Sequence, residues 1–292
     1  MQPMSNKILV TGSNGQLGNE LRDIASVFPL YEFVFTDVGE LSITDNDAVK
    51  KIFEEHRPAY LINCAAYTAV DKAESEKELN NQINGVAVGI LALASKQNGT
   101  KFIHISTDYV FNGTASRPLR EDDNVDPVNA YGASKLLGEQ LAVENDPETI
   151  IIRTSWVYSF YGRNFVKTMI SLMNERKSIG VVNDQVGSPT YASDLAQAIM
   201  QIISSGKWVP GIYNFSNNGV ISWFDFANEI KRLIKSSCIV NPLTTEQFPT
   251  PAKRPKYSVL DKTKIQETFS IQLKDWEKSL NECIQKLNAE SK

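Results

Sequence analysis

The sequence predicts an α/β fold with a doubly wound parallel sheet, followed by a smaller C-terminal α/β lobe. The first observation behind this prediction is that short apolar segments of β type alternate with helical segments through about half of the 292-residue chain. The second is that a glycine-rich turn directly follows the first such segment. The third is that the alternation loosens beyond about Tyr158, where prolines separate shorter helices. We expect right-handed crossovers between the strands, as parallel neighbours almost always have.

The first predicted strand, Lys7–Val10, runs directly into the glycine loop Thr11–Gly18, and apolar residues then recur at helical spacing. Such a turn lets the backbone approach a pyrophosphate, which the free N–H groups at the helix N-terminus bind. The second strand, Glu32–Asp37, ends in a carboxylate nineteen positions after Gly18, where an adenosine ribose is bound in this arrangement. These features predict a Rossmann-type dinucleotide site. The alternative for Asp37 is an ordinary turn residue.

The later elements continue the alternation. Further strands and helices are predicted at Tyr60–Cys64, Glu76–Gln97, Lys101–Ser106, Thr149–Arg153, Ser193–Ser204 and Ser222–Ile234. Active-site groups of such a sheet lie at the carboxyl ends of its strands. Three segments occupy these positions: Ala65-Ala66, Thr107-Asp108 and Thr154-Ser155-Trp156. We therefore expect residues 1–158 to form a dinucleotide-binding domain and residues 159–292 a smaller substrate-binding lobe, interleaved with the first.

Tyr131 and Lys135 are candidates for proton transfer. Residues four apart stand on one face of a helix, so the Lys135 ammonium can lie close to the Tyr131 phenol. A free tyrosine has a pKa near ~10, and a nearby positive charge lowers it. Such a phenol donates a proton near neutral pH. This pair, and the glycine loop, each also occur by chance, but together in one chain they predict hydride transfer with a nicotinamide cofactor.

Composition narrows the class of protein. With 30 basic and 34 acidic residues, the net charge of −4 gives no electrostatic reason to expect nucleic acid as a partner. The three cysteines are too few and too scattered for a disulfide framework or a zinc site, which fits the reducing cytoplasm. The longest apolar run, near Val86–Ala94, is far shorter than the roughly 18 residues of a membrane span. We expect a cytoplasmic protein that needs no metal for its chemistry and contacts no membrane.

Four blocks of the sequence carry a resemblance that covers essentially the whole chain. They are Leu61–Glu74, Ser106–Phe111, Asp184–Thr190 and Arg254–Ser258, in this order. The chain resembles an extended short-chain dehydrogenase/reductase, and more closely the dTDP-4-dehydrorhamnose reductase family. The resemblance implies an oxidoreductase that reduces the C4 keto group of dTDP-4-dehydro-β-L-rhamnose to dTDP-L-rhamnose with NADPH or NADH. This is the last step of dTDP-rhamnose biosynthesis, which supplies cell-surface polysaccharide.

The resemblance also implies catalytic roles. Tyr131 would protonate the C4 oxygen as hydride arrives, and Lys135 would lower the pKa of Tyr131 and bind the nicotinamide ribose. Thr107 would donate a hydrogen bond to the developing alkoxide, with a strand-end cap as its alternative role. Ser106 is the rival of Thr107, and strand alternation points the two side chains to opposite faces. Asn84 would support a proton relay, or else it faces solvent.

Binding residues follow from the same resemblance. Cofactor contacts are expected at Gly12, Gly15, Gln16, Leu17, Gly18, Asp37, Ser42, Ile43, Ala65, Ala66, Ile105, Tyr131 and Lys135. Substrate contacts are expected at Thr107, Asp108, Trp156 and Arg254. Asp108 would accept from sugar hydroxyls, Trp156 would cover the sugar face, and the Arg254 guanidinium would bind the diphosphate. Core packing is the alternative for Trp156, and a surface salt bridge is the alternative for Arg254.

Alternatives remain open for three predictions: the choice of cofactor, the oligomeric assembly and the class of activity. Asp37 would repel a 2′-phosphate, yet the family commonly accepts NADPH, so we expect dual use with no strong preference. Some members dimerise around magnesium held by glutamates; Glu20 matches one of these, but Asp194 at the other position speaks against that site and leaves a homodimer open. The rivals are another nucleotide-sugar reductase or epimerase, and a non-catalytic nucleotide-binding subunit like that of methionine adenosyltransferase. The presence of Thr107, Tyr131 and Lys135 favours catalysis.

Overall fold

A computed structural model of the protein describes residues 6–290. Its strands are β1 (Lys7–Thr11), β2 (Glu32–Thr36), β3 (Tyr60–Asn63), β4 (Lys101–Thr107), β5 (Ile150–Thr154), β6 (Val157–Tyr158), β7 (Ser178–Val182), β8 (Val186–Gly187), β9 (Thr190–Tyr191), β10 (Gly211–Phe215), β11 (Ile221–Ser222) and β12 (Ile239–Leu243). Its helices are α1 (Gln16–Ile24), α2 (Asn46–His56), α3 (Val70–Ala73), α4 (Lys77–Asn81), α5 (Ala87–Asn98), α6 (Ala130–Asn145), α7 (Phe165–Glu175), α8 (Ala192–Ser204), α9 (Trp223–Leu233), α10 (Thr263–Phe269) and α11 (Trp276–Glu290).

The main sheet has six parallel strands in the order β10-β5-β4-β3-β1-β2. The predicted doubly wound, Rossmann-type fold is therefore confirmed. The strand order reverses between β1 and β3, because β2 lies on one side of β1 and all later strands lie on the other. Ligands of open parallel sheets bind outside the carboxyl ends of the strands at such a switch point. The loops after β1 and β3 are thus the place to look for a dinucleotide.

Both faces of the sheet are buried, as a parallel sheet requires. Side chains of a strand alternate between the faces, so Ile8 and Val10 contact one apolar cluster and Leu9 contacts the other. Helices α1, α8 and α10 contribute to the first cluster, and α2, α5 and α6 contribute to the second. For this reason the strands are continuous apolar runs in the sequence and do not alternate between apolar and polar residues.

The smaller lobe is built from two-stranded ladders. Strand β12 pairs with β7, β11 with β8, and β9 with β6. These elements and helices α7, α9 and α11 enclose an aromatic core that includes Tyr158, Phe226 and Trp276. Strand β10 and helix α8, although they come after residue 158, belong to the main sheet and its core. The two segments are therefore interleaved, and the boundary at residue 158 stays a prediction.

The long helix predicted at Glu76–Gln97 is interrupted. The chain forms α4, then a π-helical turn at Gln82–Val86, and then α5. Gly85 lies in this turn and packs so closely on α6 that an added Cβ would stand 2.6 Å from a methyl carbon of Leu137. Such turns are often found at functional sites. Within residues 6–290, no helix is long and apolar enough to cross a membrane.

Candidate active site

A cleft of about 600 Å³ opens at the switch point between β1 and β3. Of the residues predicted to contact the cofactor, it is lined by Gly12, Gly15, Asp37, Ser42, Ile43, Ala65 and Ala66. Gly12 has a φ of +65°, and a Cβ there would lie 2.5 Å from the Ala65 backbone, so the loops after β1 and β3 approach as only glycine allows. Glycine loop, helix N-terminus and cleft together fit a dinucleotide.

Asp37 stands at the wall of this cleft. Its carboxylate accepts the backbone N–H of Asn14 at 2.8 Å and that of Val38 at 2.8 Å. These bonds orient the carboxylate beside the glycine loop, and its contact with a ribose hydroxyl stays a prediction. Asn14 also lines the cleft and was not among the predicted residues, although it lies within the predicted loop.

Four other predicted cofactor residues take different positions. The Leu17 side chain is buried in the core, and Gly18 packs on the backbone of Ser13, so these two offer a ligand only backbone atoms. The Gln16 amide oxygen accepts a hydrogen bond from Asn164. The Ile105 carbonyl accepts one from Lys135 at 2.6 Å. Their contacts with a cofactor stay predictions.

The helix that carries Tyr131 and Lys135 is fixed at its N-terminus. Asn129 caps α6 by accepting the Gly132 N–H at 2.7 Å, and Glu74 accepts the Ala130 N–H at 2.8 Å. A Cβ on Gly132 would lie 2.1 Å from the Tyr109 carbonyl oxygen, so α6 abuts the turn after β4. These contacts fix the start of α6 and thereby position Tyr131.

Tyr131 lies beside Thr107 and Asp108 at the carboxyl end of β4. A hydrogen bond with Thr107 lowers the pKa of Tyr131, but desolvation and the Asp108 carboxylate outweigh it and raise that pKa to about 12. The predicted effect of Lys135 on the pKa of Tyr131 stays a prediction. The Lys135 Nζ is directed at the Ile105 carbonyl and at His104, and burial lowers the pKa of Lys135 to about 8. The Tyr131 phenol is thus protonated at neutral pH, as a proton donor must be.

Ser106 and Thr107 were the alternative candidates for the hydrogen-bond donor to the alkoxide, and their hydroxyls contact different partners. Ser106 Oγ donates to the buried Glu139 carboxylate, and Thr107 lies on the side of Tyr131. Thr107 Oγ1 also accepts the Tyr109 N–H at 3.2 Å, so the alternative role of a strand-end cap is present as well. Thr107 Oγ1 donates to Asp108 Oδ1 at 3.0 Å.

Asp108 is almost completely buried, and burial raises its pKa to about 7 despite hydrogen bonds from Ser258, Thr107 and the backbone. The Ser258 hydroxyl lies close to it, but Oδ2 has no hydrogen-bond partner of good geometry among the described residues. A buried acceptor without a partner is costly unless a ligand hydroxyl completes it. Asp108 is therefore suited to bind a sugar hydroxyl.

Trp156 has a left-handed backbone, with a φ of +49°, which is unusual for a bulky residue. Its ring stacks on Trp223 at a centroid distance of 3.6 Å and packs against Gly187, where a Cβ would lie 2.7 Å from the indole. Non-glycine residues in this region cost on the order of 1 to 3 kcal/mol and cluster at ligand sites. Trp223 and Phe165 line a neighbouring cavity, and nothing in the sequence distinguished them from core aromatics.

Arg254 lines the same cavity, which has a volume of about 280 Å³. Both guanidinium Nη atoms contact the Asp71 carboxylate, at 2.9 and 3.0 Å. Arg254 thus forms the salt bridge that was the alternative to diphosphate binding. The pair lies at the cavity wall, and the Asp71 side chain is 40% exposed. Binding of a diphosphate stays a prediction.

Asn84 does not face solvent, so that alternative is wrong. It is buried, and its side-chain amide contacts the side chains of Asn80 and Ser134 and both the N–H and the carbonyl of the Tyr67 backbone. Because the partners are all fixed protein groups, Asn84 holds the loop after β3 against α6. Its part in a proton relay stays a prediction.

Glu20 and Asp194, the two positions compared with magnesium ligands, each form hydrogen bonds or ion pairs with other side chains of the protein. Glu20 accepts from Ser159 at 2.6 Å and lies 3.8 Å from Lys286. Asp194 contacts Asn217, Ser279 and Lys274. Within residues 6–290, no group of three or more histidine, cysteine, aspartate or glutamate side chains is arranged to hold a metal ion.

Comparison with known proteins places the chain in a family. The family model described as the RmlD substrate binding domain matches residues 6–289. The chain belongs to this family. A dTDP-4-dehydrorhamnose reductase of Aggregatibacter actinomycetemcomitans is 42% identical over 284 residues, which cover 94% of this chain and 97% of the relative. The resemblance inferred from the four sequence blocks is confirmed.

Two solved structures of the family share the fold closely. A dTDP-4-dehydrorhamnose reductase of Clostridium acetobutylicum superposes with a TM-score of 0.92 at 44% identity, covering 97% of this chain and 99% of that one. One of Bacillus anthracis, in complex with NADP, superposes with a TM-score of 0.93 at 41% identity, covering 97% of this chain and 100% of that one. The RmlD family assignment thus extends over both lobes.

Proposed function

We propose that the protein reduces the C4 keto group of dTDP-4-dehydro-β-L-rhamnose to dTDP-L-rhamnose with NADPH or NADH. One observation carries the proposal: in a chain of the RmlD family, Tyr131, Thr107 and Lys135 meet at the carboxyl end of β4, next to the dinucleotide cleft. Relatives named dTDP-4-dehydrorhamnose reductase at about 40% identity over nearly the full chain support this activity.

The chain's own residues would handle the proton and the substrate. When bound, the reduced nicotinamide supplies the hydride. The protonated Tyr131 phenol donates its proton to the C4 oxygen, since an alkoxide is a stronger base than a phenolate. With substrate bound, the Thr107 hydroxyl turns from Asp108 to donate its one hydrogen bond to the same oxygen, which stabilises the developing charge. Lys135, fixed by the Ile105 carbonyl, supplies positive charge next to the cofactor ribose.

Substrate recognition would divide between the two lobes. Asp108 offers its free carboxylate oxygen to a sugar hydroxyl. Trp156, which is half-buried and stacked on Trp223, would contact the sugar with the part of its ring that stays exposed. The aromatic cavity beside Arg254 is large enough for part of the nucleotide, and its guanidinium fork suits a diphosphate once the bond to Asp71 opens.

We extend the proposal to cofactor choice, assembly and location. Asp37 disfavours a 2′-phosphate but does not seal the cleft, which supports dual use of NADH and NADPH. The protein contacts of Glu20 and Asp194 argue against magnesium there, whereas a homodimer stays open. We propose a cytoplasmic location, which is consistent with the three free cysteines and with a nucleotide-sugar substrate.

The test is direct. The purified full-length chain is mixed with freshly made dTDP-4-dehydro-β-L-rhamnose and either NADPH or NADH, and the loss of reduced-nicotinamide absorbance is followed while the product sugar is identified. Oxidation of the cofactor with formation of dTDP-L-rhamnose is expected. Cofactor binding without oxidation would overturn the proposal in favour of another keto sugar or a non-catalytic binder.

A further inference from the structure

A buried histidine that no assigned role uses contacts the candidate catalytic lysine. His104 lies on β4 and is fully buried, and its Nε2 stands 3.3 Å from Lys135 Nζ. Its other ring nitrogen, Nδ1, lies 3.1 Å from the side-chain amide nitrogen of Asn63. His104 therefore connects Lys135 to a second buried polar group, and the protonation of the ring depends on which way that amide points.

The orientation of the Asn63 amide is fixed from the other side. Its Oδ1 accepts the backbone N–H of Ala65 at 3.1 Å and the Thr11 hydroxyl at 2.7 Å. A backbone N–H is always a donor, so the atom facing Ala65 has to be the amide oxygen. The amide nitrogen then faces His104 and donates to Nδ1. A neutral imidazole that accepts at Nδ1 carries its proton on Nε2.

This tautomer presents an N–H to Lys135. The neutral amine of Lys135 can accept from that N–H, but an ammonium cannot, because it is a donor only. A second proton on the ring would not relieve the conflict, and burial together with Lys135 holds the pKa of His104 well below its usual range. The remaining groups around Lys135 are Glu139 one turn along α6, Cys64 after β3, and the Ile105 carbonyl. Glu139 and the carbonyl favour the ammonium, so His104 opposes them.

We propose that His104, held by Asn63 as the Nε2–H tautomer, is a positioning residue that weakens proton binding at Lys135 and connects it to the dinucleotide cleft. The connection runs through Asn63 to Ala65, which lines the cleft in the loop after β3, and to Thr11, the last residue of β1. The inference on Lys135 in catalysis rests on the proposed function, but the hydrogen-bond arrangement does not.

The tautomer can be observed without substrate. The chain has only two histidines, so the full-length protein labelled with ¹⁵N-histidine gives two sets of ring signals, which His56→Gln assigns. His104 is expected to show a protonated Nε2 and an unprotonated Nδ1 throughout the neutral pH range. The opposite tautomer, or a doubly protonated ring at neutral pH, would overturn the proposal even if the reductase activity is established.

The effect on Lys135 is read from its own titration. In His104→Gln, an amide oxygen can take the place of Nε2 and accept from the ammonium. The midpoint of Lys135, followed by NMR of ¹³C-labelled lysine and assigned with Lys135→Arg, is expected to rise by about one pH unit, a tenfold gain in proton affinity. The alkaline limit of kcat/KM should move upward with it.

A matched control separates this role from simple packing. Phe102 contacts the His104 ring, with ring centroids 6.1 Å apart, but has no polar link to Lys135. Phe102→Leu is expected to lower stability and leave the Lys135 midpoint unchanged. An unchanged midpoint in His104→Gln, or an equal shift in Phe102→Leu, would show that His104 acts only as a core residue.

Discussion

Ser106 and Thr107 are adjacent on one strand, yet their hydroxyls serve different structures. Ser106 Oγ donates at 2.5 Å to Glu139, which forms a buried ion pair with Arg153 at 2.7 Å. Thr107 Oγ1 lies on the opposite face, where it forms hydrogen bonds with the side chains of Asp108 and Tyr131. Because side chains alternate along a strand, the Ser106 hydroxyl contacts a buried ion pair and the Thr107 hydroxyl faces the candidate active site.

Replacement of the two hydroxyls is expected to separate their roles. Thr107→Val should lower kcat by about a hundredfold or more, since it removes a donor to the developing alkoxide. Thr107→Ser should keep most of the turnover. Ser106→Ala should lower the free energy of unfolding by about 1 to 3 kcal/mol, because buried Glu139 loses a donor, and keep its turnover. Steady-state kinetics and denaturant unfolding check both; loss of turnover in Ser106→Ala alone would reverse the assignment.

Tyr131→Phe is expected to lower kcat by about 10² to 10⁴, the usual contribution of a general acid, while cofactor binding is kept. The matched control is Tyr109→Phe, because the ring of Tyr109 packs edge-on against Tyr131 at 5.9 Å and the variant removes a neighbouring phenol hydroxyl. Turnover and the binding constant of NADPH, from nicotinamide fluorescence, are measured for both. A Tyr131→Phe enzyme at full speed would refute the role of proton donor.

The main strands and the position of the site could be predicted from the sequence because both depend on local patterns. Five predicted strands end within one residue of β1, β2, β3, β4 and β5, where glycine or polar residues terminate an apolar run. Since the site residues follow such strands, the parallel sheet brings them together without further information.

Other features depend on distant parts of the chain and carry no local signal. Strand β10 joins the main sheet from beyond residue 200, and helix α2 was not predicted either. His104 has the sequence context of any strand residue, and only Asn63 and Lys135, from other elements, show what it contacts. The hydrogen-bond partners of Lys135 could not be anticipated from its spacing to Tyr131, because its amine donates to the Ile105 carbonyl of another element.

The buried carboxyl of Asp108 is expected to make stability depend on pH. Its pKa is raised to about 7, so folding favours the protonated form, and the stability this gives is lost as the pH rises through that value. Asp108→Asn removes the effect. Relative to the wild type, the variant should gain about 2 to 3 kcal/mol of unfolding free energy as the pH rises from 5 to 8, measured by urea unfolding. Asp122→Asn, which removes an exposed carboxylate, is the control, and an equal change in both variants would contradict the explanation.

Asp37 is expected to govern the choice of cofactor. The wild type should use NADH and NADPH with KM values within about a hundredfold, since the carboxylate binds ribose hydroxyls but repels a 2′-phosphate. Asp37→Asn should lower the KM for NADPH and raise that for NADH. Glu40→Gln is the control, because Glu40 accepts the Asp37 N–H at 2.9 Å and carries the same charge outside the ribose position. A stronger preference of the wild type for NADPH, or an unchanged KM ratio in Asp37→Asn, would show that Asp37 does not contact the ribose and only orders the turn that follows β2.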